Sequence, residues 1–149
     1  MPTRSSVGWF PHPGACPDAP ARGRTAVGVD VVDVPRFARL VALRGPMMAD
    51  RVFSPAELET CRGSPQRLAA RFAAKEAGAK ALGLGIGPLA WRDVEVRTGA
   101  RGAPVLVLHG AARVAARAQG LDRWSVSLSH DATRAVAFVV ATEARRAGR

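Results

Sequence analysis

Arg71-Phe72-Ala73-Ala74-Lys75-Glu76-Ala77-Gly78-Ala79-Lys80-Ala81-Leu82-Gly83 is the stretch on which the fold turns. Ser64-Pro65 supplies a cap and a first-turn proline, the apolar positions Leu68, Phe72, Ala79 and Leu82 keep helical spacing, and Gly83 ends the run. One long helix is therefore predicted from Ser64-Pro65 to Gly83. It carries both lysines of the chain, Lys75 and Lys80, whereas the other 20 of the 22 basic residues are arginine. An ammonium is a compact point charge on a flexible stem, and a guanidinium is a flat fork. Two positions that keep lysine against so general a preference for arginine call for a charge whose shape the fork does not supply.

Outward from this helix, the pattern alternates between short strands and helices. Upstream, Thr25 to Val32 is an apolar, β-branched run that reads as a buried strand. Asp33 and Pro35 open a helix through Phe37, Leu40 and Val41 that stops at Gly45, and Ser54-Pro55-Ala56-Glu57 is a capping box that opens another. Downstream, Gly83 to Pro88 is loop. Asp93 to Thr98 and Pro104 to Leu108 are strands joined by a glycine-containing turn. Ala111 to Gln119 is a helix, Trp124 to Ser129 alternates with Trp, Val and Leu on one face, and Ala135 to Ala141 is a more continuous apolar strand. Without a regular βαβ repeat this is an α+β fold, an antiparallel sheet packed with helices. Residues 1–25, rich in Pro, Gly, Arg and Ala, are expected to be a disordered extension, residues 26–142 the domain, and residues 143–149 a basic tail.

The 149 residues suit one domain with its own core. A net charge of +10 points to an anionic partner or substrate, and +6 remains in the middle once +2 is assigned to each end. Cys16 and Cys61 have neither metal spacing nor a disulfide framework. There is no apolar run of spanning length and no apolar core for a signal peptide, so a soluble cytoplasmic protein is expected, with no membrane partner.

Three segments carry chemistry. Asp30 interrupts the apolar strand, and a buried carboxylate is costly unless it is paired or holds a metal. Glu76 and Lys80 stand at i and i+4, on one helix face. Such a pair is an ordinary surface ion pair or, with Asp30, a minimal phosphate-handling unit, because Mg²⁺ takes one or two carboxylates together with phosphate oxygens and water. Ser127-Leu128-Ser129-His130-Asp131 ends a strand. Its Ser, His and Asp are too close in sequence to form a hydrolase triad among themselves, but the segment can supply donors to phosphate.

In order and spacing, several segments together resemble the holo-acyl-carrier-protein synthase family, the short type of 4′-phosphopantetheinyl transferase. They are Gly28-Val29-Asp30-Val31-Val32-Asp33, Phe53-Ser54-Pro55-Ala56-Glu57-Leu58, Leu68 to Ala77, Lys80-Ala81-Leu82-Gly83, Trp91 to Val96, and Trp124 to Asp131. The resemblance implies the fold of that family and Mg²⁺-dependent transfer of phosphopantetheine from coenzyme A to a serine of an acidic acyl carrier protein, with release of adenosine 3′,5′-bisphosphate. It implies Asp30 and Glu76 as metal ligands and Lys80 on the pyrophosphate. His130 and Ser129 would lie on the phosphates of coenzyme A, with Arg71, Lys75 and Gly83 along the nucleotide side. Glu76, holding a water on the metal, is the first choice of base and Asp131 the second. The family type further implies a homotrimer, with His130 of one chain facing Asp30 and Glu76 of the next. Gly78, Leu84 and Arg67 depart from the family pattern, and Gly78 is expected to cost the helix about 1 kcal/mol.

Two other classes compete. A nucleic-acid-binding module would explain the charge, but the basic residues are dispersed, there is no Tyr, and aromatics make up only 5% of the chain. A non-catalytic scaffold of the same fold should have lost an essential group, whereas Asp30, Glu76, Lys80 and His130 are all present.

Overall fold

The computed structural model describes residues 23–144. The predicted tails therefore lie almost wholly outside the described residues. Strand β1 (Thr25–Asp33) leads into helices α1 (Val34–Arg44), α2 (Pro46–Val52), α3 (Pro55–Cys61) and α4 (Pro65–Ala81). Strands β2 (Val94–Thr98) and β3 (Pro104–Leu108), helix α5 (Gly110–Ala118), and strands β4 (Arg123–His130) and β5 (Arg134–Thr142) complete the order. The strands form an antiparallel sheet, β1-β5-β4, and an antiparallel ribbon, β2-β3. This is the α+β arrangement that the sequence implies.

Small residues explain why α4 lies so close to the sheet. Its buried side is Ala69, Ala70, Ala73, Ala74, Ala77 and Ala81, and it faces Ala135, Ala137, Val139 and Ala141 of β5. At Gly28 the approach is closest: a Cβ there would stand 1.8 Å from the carbonyl oxygen of Ala77. Only glycine admits the helix at that point. Gly78 has a reason of its own, because a Cβ there would come within 3.0 Å of Val94 Cγ1. The helix-propensity cost expected at Gly78 is thus offset by close packing on β2.

The helix ends follow the local chemistry. Asp33 caps α1, its carboxylate accepting from the Arg36 amide at 2.9 Å, and Ser54 with Glu57 forms a complete capping box at α3. Helix α2 was not legible: Gly45 correctly ends α1, but it offers α2 no side-chain cap, so only Pro46 marks the new start. On the far side of α4, the rings of Phe37, Phe53, Phe72 and Trp91 form a chain with centroids 4.7–6.4 Å apart.

One expectation about burial changes. The sequence pattern predicts a buried β1, yet Val27, Val29 and Val31 are each about half exposed. Together with Phe138 of β5 they lie on the outer face of the sheet, which no helix among the described residues covers.

Candidate active site

Because Gly28 lets α4 touch β1, the side chain two residues further along the strand meets the end of the helix. Asp30 Oδ1 lies 2.8 Å from Lys80 Nζ, which also donates to the carbonyl of Val29 at 3.0 Å. One turn earlier on the same helix, Glu76 joins Asp30 in lining a cleft of about 650 Å³, together with Asp33, Arg36, Phe37 and Arg39. Burial, reinforced by the negative charge of Asp30, raises the pKa of Glu76 above the ordinary carboxylate value, and Lys80 only partly opposes this. Two carboxylates thus line one cleft, with an ammonium bonded to one of them. That donor set fits a hard divalent cation of the Mg²⁺ type, which completes its shell with water and phosphate oxygens. Among the described residues, no three His, Cys, Asp or Glu side chains come together as a self-sufficient metal cage.

A second cleft, of about 530 Å³, lies on the other flank of α4 and is lined by Thr60, Arg67, Arg71, Thr98, Ser127 and His130. Arg71 is 9% exposed, and its Nε has no hydrogen-bond partner among the described residues. A buried guanidinium with an unpaired Nε, in a basic cleft, suits an anion. No residue lines both clefts. Within one chain, then, Asp30, Glu76 and Lys80 form one group, and Arg71 and His130 another.

Other expected site residues stand elsewhere. Lys75 is fully buried, and its ammonium donates to Glu57 Oε2 at 2.9 Å, the carbonyl of Val94 at 2.6 Å and that of Trp91 at 3.3 Å. It has neither surface nor proton to spare for a nucleotide, so its place along the nucleotide side is corrected to one in the core. Asp131 closes the β4–β5 turn, where its Oδ1 accepts from the Thr133 amide, the Thr133 hydroxyl and the Arg134 amide. Those donors, the Thr133 and Arg134 amides foremost, lower its proton affinity, which suits an anchor of the turn better than a base. Ser129 pairs with Val136 and His130 with Ala135, so the two point to opposite sheet faces and do not clamp one phosphate from within a chain. Gly83 holds φ 69° just beyond the helix, and the amide of Leu84 returns to the carbonyl of Ala79 at 2.9 Å.

The sequence reading missed a polar chain behind this site. Glu57 accepts from the Val96 amide at 2.9 Å as well as from Lys75, and Ser54 Oγ donates to Glu95 Oε1 at 2.8 Å. The other oxygen of Glu95 meets Arg97 Nε at 3.0 Å and His109 Nε2 at 2.8 Å. Burial opposes the charge of Glu95, but the Ser54 and His109 hydrogen bonds and the Arg97 guanidinium outweigh it and hold the carboxyl below its usual range. The capping box announced Glu57, but nothing in the pattern paired it with Lys75, 18 residues away.

Known proteins share this fold. Residues 26–139 match the family model of the 4′-phosphopantetheinyl transferase superfamily. The chain belongs to the 4′-phosphopantetheinyl transferase superfamily. It is 48% identical over 120 residues to a holo-[acyl-carrier-protein] synthase of Herpetosiphon aurantiacus, covering 76% of this chain and 94% of that one. It is 52% identical over 119 residues to the Salinispora arenicola holo-[acyl-carrier-protein] synthase, covering 78% and 96%. The Helicobacter pylori holo-[acyl-carrier-protein] synthase, solved in complex with coenzyme A, superposes with a TM-score of 0.71 at 32% identity, covering 77% and 98%.

Proposed function

We propose that this chain transfers the 4′-phosphopantetheine arm of coenzyme A to a serine of an apo acyl carrier protein, in a site that two subunits of a homotrimer complete. The observation that carries the chemistry is the placement of Glu76, a half-buried carboxylate of raised proton affinity beside the Asp30–Lys80 pair.

The serine hydroxyl oxygen forms a bond to the β-phosphorus of the coenzyme, and the bond from that phosphorus to the adenosine 3′,5′-bisphosphate oxygen breaks. The leaving group takes the electron pair, and the serine proton passes to Glu76, directly or through water. Glu76 stands beside the Asp30–Lys80 pair in the first cleft, within the group that can take that proton. Lys80 sets its ammonium where negative charge grows on the leaving phosphate. Asp30 and Glu76 would hold Mg²⁺, which when bound neutralises part of that charge. Arg71 and His130 receive coenzyme phosphates in the second cleft.

Two observations support assembly across subunits. The groups of one chain fall into separate clefts, and the exposed Val27, Val29, Val31 and Phe138 form an apolar sheet face of the kind that associating chains bury. With the family's trimer, His130 of one chain lies against Asp30 and Glu76 of the next. The carrier meets α1, whose exposed Arg36, Arg39 and Arg44 offer an acidic protein a basic surface.

The test is the mass of an apo carrier after incubation with the purified protein, coenzyme A and Mg²⁺. A gain of one phosphopantetheine, lost with EDTA and in Glu76→Ala, is expected. No gain on several different carriers, from folded protein, would contradict the reading.

A further inference from the structure

The Lys75–Glu57 pair is buried at 0% side-chain exposure on both partners, directly behind the residue that the proposed chemistry uses. Burial works to discharge Lys75 and lowers its pKa, and Glu57 opposes this. Mere stability is a weak reason to keep such a pair, because apolar residues of similar volume often serve a core as well or better. The pair does have direction. Lys75 reaches from α4 to Glu57 at the start of α3 and to the carbonyls of Trp91 and Val94 where β2 begins, and its ammonium stands 5.7 Å from the centre of the Phe53 ring. Glu57 in turn accepts from the Ser54 amide of its own helix cap at 2.8 Å and from the Val96 amide of β2 at 2.9 Å.

Consecutive residues on a helix are about 100° apart around its axis. Fixing Lys75 on the α3–β2 side therefore fixes Glu76 about a quarter-turn away, toward Asp30. The three acceptors of Lys75 lie on α3, at Trp91 and in β2, so α4 can neither slide nor roll without breaking several bonds together. A guanidinium has too wide a fork to converge on three acceptors within 3.3 Å in this closed space, which explains why lysine persists at this position.

We infer that Lys75 and Glu57 are positioning residues, a buried peg that sets the rotation of α4 and thereby aims Glu76 at the reacting centre. Neither touches substrate. The inference rests on the proposed role of Glu76.

The test compares Lys75→Met/Glu57→Met with wild type and with Glu76→Ala, using thermal unfolding, steady-state kinetics and Mn²⁺ binding by electron paramagnetic resonance with coenzyme A present and no carrier. The double variant removes both charges at once and leaves none stranded. It is expected to unfold within a few degrees of wild type, with kcat at least 30-fold lower, KM for coenzyme A within twofold, and Mn²⁺ affinity at least fivefold weaker. Should it not fold, Glu57→Gln, which removes only the anion, is expected to lower kcat at least fivefold with KM for coenzyme A again within twofold. If the folded double variant, or in its place Glu57→Gln, keeps wild-type kcat and Mn²⁺ affinity, the pair only fills the core and the inference fails. A rise in KM for coenzyme A with kcat unchanged overturns it in favour of a coenzyme contact. Full activity in Glu76→Ala overturns the reading of the site itself, and the inference with it.

Discussion

At the scale of single residues, the two lysines have one property in common: each ammonium serves more than one oxygen. Lys80 bridges Asp30 and the carbonyl of Val29 while remaining partly exposed. Lys80→Met is expected to lower kcat by about 10²–10³-fold with little change in stability, as for loss of a group aimed at developing charge. Lys80→Arg, which keeps the charge and loses the shape, should recover only part of that, as steady-state assays of the two variants would show. Glu76 gives a prediction in pH. Its pKa is raised in the folded chain, by burial first and by Asp30 second, so ionising it costs the metal-free fold stability. That cost is absent below the unfolded-state pKa, about 4.3, appears as pH rises from there, and is complete above the folded-state pKa. In EDTA, Glu76→Gln should therefore unfold at a higher temperature than wild type at pH 7 and at the same temperature near pH 4. Glu95 has the opposite sign. Its pKa is lowered because hydrogen bonds from Ser54 and His109, with Arg97, outweigh burial, so its contribution is present above the unfolded-state value and is lost as pH falls through the folded one. Glu95→Gln should destabilise by about 1–2 kcal/mol at pH 7 and by less in acid, as denaturant titrations at both pH values would show.

At the scale of elements, the contact between β1 and α4 decides whether a site exists. Gly28→Ala would place a methyl group 1.8 Å from the carbonyl oxygen of Ala77, where only backbone can yield. The expected loss is about 1–3 kcal/mol, together with reduced activity in whatever folds, because β1 carries Asp30 away from Lys80. Thermal unfolding and turnover of this variant test both parts. Most of these elements were legible in the sequence, since caps, prolines and glycines punctuate them: Asp33, Ser54-Pro55, Ser64-Pro65 and Gly83 all stand where the pattern set them. The shared face of Glu76 and Lys80 was legible from helical spacing, and Asp30 from its oddness in an apolar strand. Helix α2 was not, for want of a side-chain cap. Nor was the true place of Lys75, because a sequence does not state which faces of a central helix are covered, and α4 is covered on almost every side. The turn role of Asp131 was hidden for a related reason: its partners, Thr133 and Arg134, follow it so closely that only the backbone geometry shows them bonded.

At the scale of the whole molecule, charge and the open sheet face set the expectations. The basic α1 surface should draw in an acidic carrier, so kcat/KM for the carrier falls with added salt while KM for coenzyme A changes less. Salt independence up to physiological strength would remove steering from the account. Val29→Asp with Phe138→Asp places charge on the face that the proposed trimer buries. Light scattering should then report monomer, and activity should fall to background because each chain keeps only its own share of a site. The most direct measurement of that arrangement uses mixed trimers of Glu76→Ala and His130→Ala chains, co-expressed with different tags and purified on both. Each parent trimer is expected to be nearly inactive. In a mixed trimer, one of the three interfaces brings intact Glu76 against intact His130, so activity should return to about a third of wild type. If mixed trimers stay as inactive as their parents, the site lies within one chain and the account of its assembly is wrong.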